Sequence, residues 1–386
     1  MAYRIGIVGA GMGGLAAAAL LAGRGHQVTL VERFAVPRPV GSGLVVQPVG
    51  LAVLDAIGAG VAARDLGASL RRMQGHAAGR VVLDVDYRAG APGLAMHRAS
   101  LFHVLWQAAM AAGVTLAAGH AVTGVAKAMI ARGAAPALGP FDLVVDASGA
   151  GSVLSPLVAR ALPFGAVWAS VPWPTQSPLA PDQLSQRYDR ASRMAGVMPI
   201  GLMPDGGPPR AAVFWSLPVA ALDHWPQVDF AGWQTGVRAF WPEMAPFIAP
   251  LHSAQDLTVA RYSHGGLSRP RQPGLAFIGD AAHRASPQLG QGANMALLDA
   301  MALTRALDGG LADALPRYGA MRRWHRRFYQ AFSAVLTPMY QSHSRTLPLL
   351  RDRVLAPLAQ VPPVRRVLTA LVSGDVLPPL AGQVWP

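Results

Sequence analysis

The chain of 386 residues contains no cysteine and a single lysine, Lys127. Without thiols it can form no disulfide, no thiolate zinc or iron–sulfur site and no cysteine nucleophile, so hard redox chemistry would need an organic cofactor. The same lack leaves the compartment undetermined by redox arguments. Charged residues are also scarce, 14% against 52% hydrophobic, which describes a packed globular chain with room for two domains. No window of 18 uncharged apolar residues occurs, which argues against a transmembrane helix. Acidic residues are few, leaving a formal net charge of +13 carried almost entirely by arginine. The densest basic run, Arg322-Arg323-Trp324-His325-Arg326-Arg327, suits a phosphate-rich surface. A solvated helix face explains it more plainly, and no nucleic-acid partner is expected.

The glycines are placed with more purpose. Ile5-Gly6-Ile7-Val8 reads as a strand, Leu15 to Leu21 as a helix, and Gly9-Ala10-Gly11-Met12-Gly13-Gly14 joins them. Gly9 allows the tight turn, Gly11 lets backbone N–H groups approach a pyrophosphate, and Gly14 lets the helix pack on the sheet. Glu32 ends the next strand, 18 residues past Gly14, where an acid can accept ribose hydroxyls. Together these residues form a dinucleotide-binding unit. Because its first strand consumes the N-terminal apolar stretch, no signal peptide is expected and the cytoplasm is the expected location.

Leu275-Ala276-Phe277-Ile278 repeats the pattern and brings in Gly279, 270 residues after Gly9. It runs into Gly279-Asp280, and Pro287 to Asn294 opens another helix. Asp280 can accept hydroxyl hydrogen bonds from a ribityl chain, and the N–H groups around Gly290, Gly292 and Ala293 can stabilise negative charge on a reduced flavin. One long dinucleotide cofactor touching both segments explains them best, and FAD is the cofactor expected.

The fold expected is α/β, a Rossmann-like FAD-binding domain carrying an inserted, mostly antiparallel substrate domain, with C-terminal helices. The FAD domain is read as residues 1–68, 97–162 and 260–330, the substrate domain as 69–96 and 163–259, and a helical tail as 331–386. A helix is expected from Ser100 to Ala112, antiparallel strands from Ser69 to Tyr87, strand-like pieces of a mostly antiparallel sheet from Phe164 to Val259, and helical structure from Asn294 to about Gln330. Trp168, Trp173, Trp215, Trp225, Trp233 and Trp241 lie in the inserted region, where they either line a pocket for a flat apolar substrate or fill the sheet core.

On these motifs the chain resembles the single-component FAD-dependent aromatic hydroxylases with the para-hydroxybenzoate hydroxylase fold, over nearly its whole length. Gly9 to Gly14 with Glu32-Arg33 matches the first fingerprint of that family. Gly279-Asp280-Ala281-Ala282-His283, Ser286-Pro287 and Gly290-Gln291-Gly292-Ala293-Asn294 match its flavin-ribityl motif, and Asp299-Ala300 continues that helix. Arg38 through Pro48 resembles the segment passing over the isoalloxazine, and Met96 to Leu101 resembles the helix start whose arginine, here Arg98, contacts FAD. The tail from Tyr340 to Gly374 is weakly similar to the ubiquinone-biosynthesis hydroxylases.

The resemblance implies a monooxygenase that hydroxylates or epoxidises an aromatic or conjugated apolar small molecule. FAD would be reduced by NAD(P)H as a transient partner and would react with dioxygen to a C4a-hydroperoxide. It also implies a cofactor set of Gly9, Gly11, Met12, Gly13, Gly14, Glu32, Arg33, Gly43, Arg98, Val122, Ser148, Gly279, Asp280, Pro287, Gly290, Gly292, Ala293 and Asn294. Pro287, Gly290 and Gly292 are the flavin-proximal candidates. No catalytic base is assigned, since His283, His252 and His264 read as structural, and no metal site is expected. Oligomeric state is left open, as is peripheral membrane contact.

One segment departs from the family. Asp146-Ala147-Ser148-Gly149-Ala150-Gly151-Ser152 has Ser148 at the aspartate position, and Ser155 stands where an arginine is expected. This segment serves FAD and NAD(P)H in the family, so a flavin-dependent reductase, oxidase or cyclase with impaired NAD(P)H use is the alternative. Its spelling is similar to flavin-dependent halogenases and some isoprenoid-modifying flavoproteins, but no Trp-x-Trp-x-Ile-Pro segment is present and Lys127 does not match the halogenase lysine.

Overall fold

The computed structural model describes residues 1–36, 43–383 and 385. Arg38 to Ser42, the first part of the segment expected over the isoalloxazine, lies outside them. A six-stranded sheet runs in the order Arg271–Gln272, Leu275–Phe277, Leu143–Asp146, Arg4–Val8, Gln27–Glu32 and Thr115–Ala118. It is parallel except at its first, two-residue edge strand. Such strands are buried on both faces, which is why Ile5-Gly6-Ile7-Val8 is apolar without alternation. The helices Met12–Ala22, Arg98–Ala111 and Gly292–Leu307 share one core with this sheet.

The second sheet has eight strands: His283–Arg284, Thr258–Gly266, Arg160–Pro172, Gly206–Pro218, Arg193–Met203, Gln183–Asp189, Arg72–Ala77 and Arg80–Asp86. All pairs are antiparallel save Gln183–Asp189 with Arg72–Ala77, which brings the two separate strand-rich stretches into one sheet. A three-stranded sheet of Gly43–Val46, Gly93–His97 and Ala68–Leu70 lies between the two large ones, and a small meander covers Gly124–Ala126, Met129–Arg132 and Ala135–Leu138. Side chains on the long strands alternate. Val167, Ala169, Val197, Val213 and Trp215 enter one core, while Met194, Met198, Ala212 and Phe214 enter another on the opposite face.

Three expectations need correction. The stretch expected to be antiparallel up to Val259 leaves the sheet after Pro218 and turns helical at Val219–Asp223, Phe230–Phe240 and Ala245–Ile248. Asp229 caps the longest of these by accepting from the Gly232 N–H at 3.0 Å, an Asx start that proline frequency obscures. The helix after Asn294 is two helices, Gly292–Leu307 and Ala314–Tyr340, broken at Gly309-Gly310. The second continues ten residues beyond Gln330, with Pro338 inside its last turn.

Candidate active site

The two glycine segments meet. Gly13 packs so closely on the helix Gly292–Leu307 that a Cβ there would lie 3.2 Å from the Ala296 Cβ, and the helices opened by Met12 and Gly292 therefore start side by side. Neither has a side-chain cap or an acid in its first turn. Two uncapped N-termini with free N–H groups make an anion-binding edge.

Sterics fix the first turn. Gly9 has φ +101°, and a Cβ there would meet the Ala147 oxygen and Ser148 Cα at 2.7 Å. At Gly14 a Cβ would fall 1.9 Å from the Gly9 oxygen, whereas at Gly11 and Gly292 it would meet nothing within 4 Å. The first two glycines thus serve packing, and the latter two leave space open at the surface. Met12 is half-buried at the helix start. Glu32 is buried and holds the turn, accepting from Ala10 N–H at 2.8 Å and Phe34 N–H at 3.1 Å. Its two oxygens keep further lone pairs for donors such as ribose hydroxyls. Arg33 is exposed, with its guanidinium 4.7 Å from the Phe34 ring centroid.

At the second segment, Gly279 donates to the Asp299 carboxylate at 3.0 Å. His283 Nε2 lies 2.6 Å from the same oxygen, and Arg322 Nε bonds the other at 2.8 Å. Burial opposes ionisation of Asp299, but His283 and Arg322 together hold its carboxyl well below the usual carboxylate range. His283 is thereby tied to buried Asp299, beside the strand end that carries Asp280. The Asp280 side chain is exposed and has no hydrogen-bond partner among the described residues. Pro287 is exposed as well, and Gly290 adopts φ +61°. The Asn294 side chain is fully committed: it accepts from Gln47 N–H and donates to the Val45 and Gly290 oxygens. Any contact of Asn294 with a cofactor falls to its backbone.

Other expected residues sit at different distances from this edge. Arg98 begins the helix Arg98–Ala111, half-buried, without a hydrogen bond or ion pair among the described residues. Desolvation lowers its pKa, and Asp280 and Tyr262 pull the other way. Gly43 packs instead on the large sheet, where a Cβ would meet Ile200 at 2.6 Å and Ala212 at 2.8 Å. Val122 belongs to a small core under the meander, with Val8, Val31 and Phe277. His252 is exposed, and burial and Arg160 lower the pKa of His264.

The departing segment is internally bonded. Asp146 is fully buried, and its carboxylate accepts from Ser148 N–H at 3.0 Å, Ser148 Oγ at 2.6 Å and Ser152 Oγ at 2.5 Å. Ser155 Oγ donates to the Ala281 oxygen at 2.6 Å and ties this segment to the second motif.

Sequence reasoning covered Gln47 only as part of the segment Arg38 to Pro48, without singling it out, and missed Tyr262. Gln47 is fully buried; its Oε1 accepts from Tyr87 OH, while its Nε2 has no partner and faces Gly290. Tyr262 accepts a hydrogen bond from the Trp168 indole at 2.8 Å, and burial pushes its hydroxyl up to about 12. Neither carried a spacing that would have exposed it. The tryptophans divide sharply. Trp215, Trp225 and Trp241 are buried, and Trp173 and Trp233 packed, between the outer face of the large sheet and the helices that follow it. Only Trp168 faces the other side, 4.6 Å from Phe214, in a cluster with Met194, Met198, Tyr188 and Tyr340.

These observations fit FAD. An uncommitted arginine, an orphaned buried amide, an unpaired Asp280 and two open glycines surround the paired helix starts. A family model described as an FAD binding domain matches residues 2–131 and 245–322. The 6-methylpretetramide 4-monooxygenase of Streptomyces rimosus is 29% identical over 96% of this chain and 92% of its own. The 3-amino-4-hydroxybenzoate 2-monooxygenase of Streptomyces cremeus is 26% identical over 83% of each. The solved FAD complex of a single-substitution variant of HpxO from Klebsiella pneumoniae superposes with a TM-score of 0.79 at 20% identity, over 97% of this chain and 100% of its own. The chain belongs to this FAD-binding family, the FAD-dependent aromatic monooxygenases.

Proposed function

We propose that this monooxygenase inserts oxygen into an aromatic or conjugated apolar small molecule that lies between the inner face of the large sheet and the second glycine segment. The carrying observation is that Gln288 of that segment reaches Met194 Sδ at 3.7 Å, so the wall of Trp168, Met194, Met198 and Phe214 adjoins the cofactor edge. Methionine and aromatic side chains suit flat apolar ligands. The names of the two relatives specify a pretetramide and an aminohydroxybenzoate, which agrees with a ring substrate.

Bound FAD supplies the hydride acceptance and dioxygen chemistry that side chains lack. The N–H groups at Gly11 and Gly292 hold its negative charge, Glu32 and Asp280 accept from its hydroxyls, and Arg98 and Gln47 offer donors. The apolar wall orients the substrate and excludes water. NAD(P)H is the proposed reductant, although Ser148 gives its entry no charge. The test is oxygen uptake and NAD(P)H oxidation by the FAD-loaded enzyme across a panel of phenols, quinolones and polycyclic aromatics. Substrate-dependent, stoichiometric consumption of both supports the reading. Reduction by NAD(P)H without oxygen transfer to any substrate turns the assignment to a reductase or oxidase.

A further inference from the structure

Among the described residues, 15 large hydrophobic side chains stand exposed, and nine of them fall between Trp324 and Val367. Residues 314–374 also carry ten arginines and one acid, Asp352, and six of the arginines are exposed: Arg323, Arg327, Arg345, Arg353, Arg365, which bonds Asp86, and Arg366. The two surpluses coincide. In the helical run from Leu347 to Ala359 and the residue pair after it, Leu350, Val354, Leu358 and Val361 recur at helical spacing and are 42, 52, 47 and 43% exposed. Residues three and four apart share a helix face, so these four form one apolar stripe. Arg345, Arg353 and Arg366 are exposed beside it, with no acidic partner among the described residues. On the preceding helix Arg323 and Arg327 lie 5.0 and 5.6 Å from the ring of Trp324, itself 56% exposed.

We propose that the outer surface of the C-terminal helices docks on an anionic lipid bilayer. The leucines and valines enter the headgroup boundary and the arginines meet lipid phosphates. No described helix is long and apolar enough to cross a membrane, so the contact is interfacial. A second copy of the chain fits this surface less well, because two faces of the same positive sign on molecules of net charge +13 repel. A nucleic acid would satisfy the arginines but leave the apolar stripe in water. The same segment turns Arg351 inward, 4.8 Å from the Tyr188 ring centroid and 5.1 Å from that of Tyr340. The docking face therefore backs onto one wall of the candidate pocket. This inference does not depend on the substrate proposed above.

The FAD-loaded full chain is sedimented with vesicles of phosphatidylcholine alone and of phosphatidylcholine mixed with phosphatidylglycerol. Binding to the mixed vesicles only, weakened by salt, is expected. Arg353→Ala with Arg366→Ala should weaken it roughly tenfold or more, and Leu350→Ser with Leu358→Ser should weaken it comparably. All four residues are exposed, and unchanged melting temperature and FAD content confirm that the variants are folded. Absence of vesicle binding overturns the proposal. So does stronger binding to duplex DNA that the serine variants leave intact, or a concentration-dependent dimer that the serine variants dissolve.

Discussion

His325 is held neutral by its neighbours. Its Nε2 donates to the Gly374 oxygen at 2.8 Å and its Nδ1 accepts from Arg322 at 3.2 Å, so a second ring proton would face a guanidinium. Burial, with the charge of Arg322, lowers its pKa from 6.5 to about 3. A depressed histidine stabilises the fold above its unfolded pKa and loses that contribution as pH falls from about 6.5 towards 3. At pH 5 the loss is about 2 kcal/mol. His325→Gln cannot titrate, so between pH 7 and pH 5 urea unfolding should cost the parent about 2 kcal/mol more than the variant. Burial also lowers His76, His97 and His264, but they are common to both proteins and cancel. Equal losses in the two proteins would refute the assignment. Ser148 offers a second residue-scale test. Because its hydroxyl already donates to buried Asp146, Ser148→Asp sets a second carboxylate against the first. Restoring the family's acid should therefore destabilise the chain by about 1–3 kcal/mol and leave reduction by NAD(P)H no faster, as stopped-flow absorbance would show.

Among the elements, the C-terminal helix Pro362–Ser373 and the residues after it are stitched by main-chain oxygens to the second glycine segment and to the helix Ala314–Tyr340. Val372 accepts from Gln291 Nε2 at 2.9 Å, Leu371 from Tyr329 OH at 3.0 Å, and Pro379 from Arg322 at 2.7 Å. Gly374 ends this helix at φ +90°, and a Cβ there would lie 2.4 Å from Val49 Cγ2. Gly374→Ala thus combines left-handed strain with a clash in the core. It should lower stability by at least about 1–3 kcal/mol and loosen FAD, read as a lower melting temperature and faster cofactor loss on dilution. Unchanged retention would mean that the tail and the cofactor edge are not coupled. The strand-to-helix turns of both glycine segments were legible because part of their demand is local: Gly9 and Gly290 take positive φ, and a Cβ at Gly14 would strike the Gly9 oxygen five residues away. The tail's attachment was not. Gln291 and Val372 are 81 positions apart, and a side chain bonding a carbonyl leaves no periodic trace.

For the whole molecule, sequence spacing pointed to the candidate cofactor edge but not to the proposed pocket wall beside it. Gly9, Gly14, Glu32 and Gly279 announce themselves through motif order, whereas Trp168, Met194 and Tyr340 become neighbours only when the large sheet and the tail close together. Five of the six inserted tryptophans could not be told from Trp168 by residue type. Strand alternation and the unforeseen helices after Pro218 decided their side. Whole-molecule stability should likewise separate residues that build the cradle from residues that only touch its occupant. A ligand bound to the native state alone stabilises by about 2.7 kcal/mol at a hundredfold excess over its Kd. Asp280 is exposed and its carboxylate bonds none of the described residues, so Asp280→Ala should leave the melting temperature of the FAD-free chain unchanged and shrink only the increment that FAD adds. Glu32 is buried and supports Ala10 and Phe34, so Glu32→Ala should lower the FAD-free melting temperature and the increment together. Scanning calorimetry with and without FAD on the three proteins distinguishes these outcomes. If Asp280→Ala destabilises the FAD-free chain while keeping the full increment, Asp280 supports the fold and the FAD hydroxyls are held elsewhere.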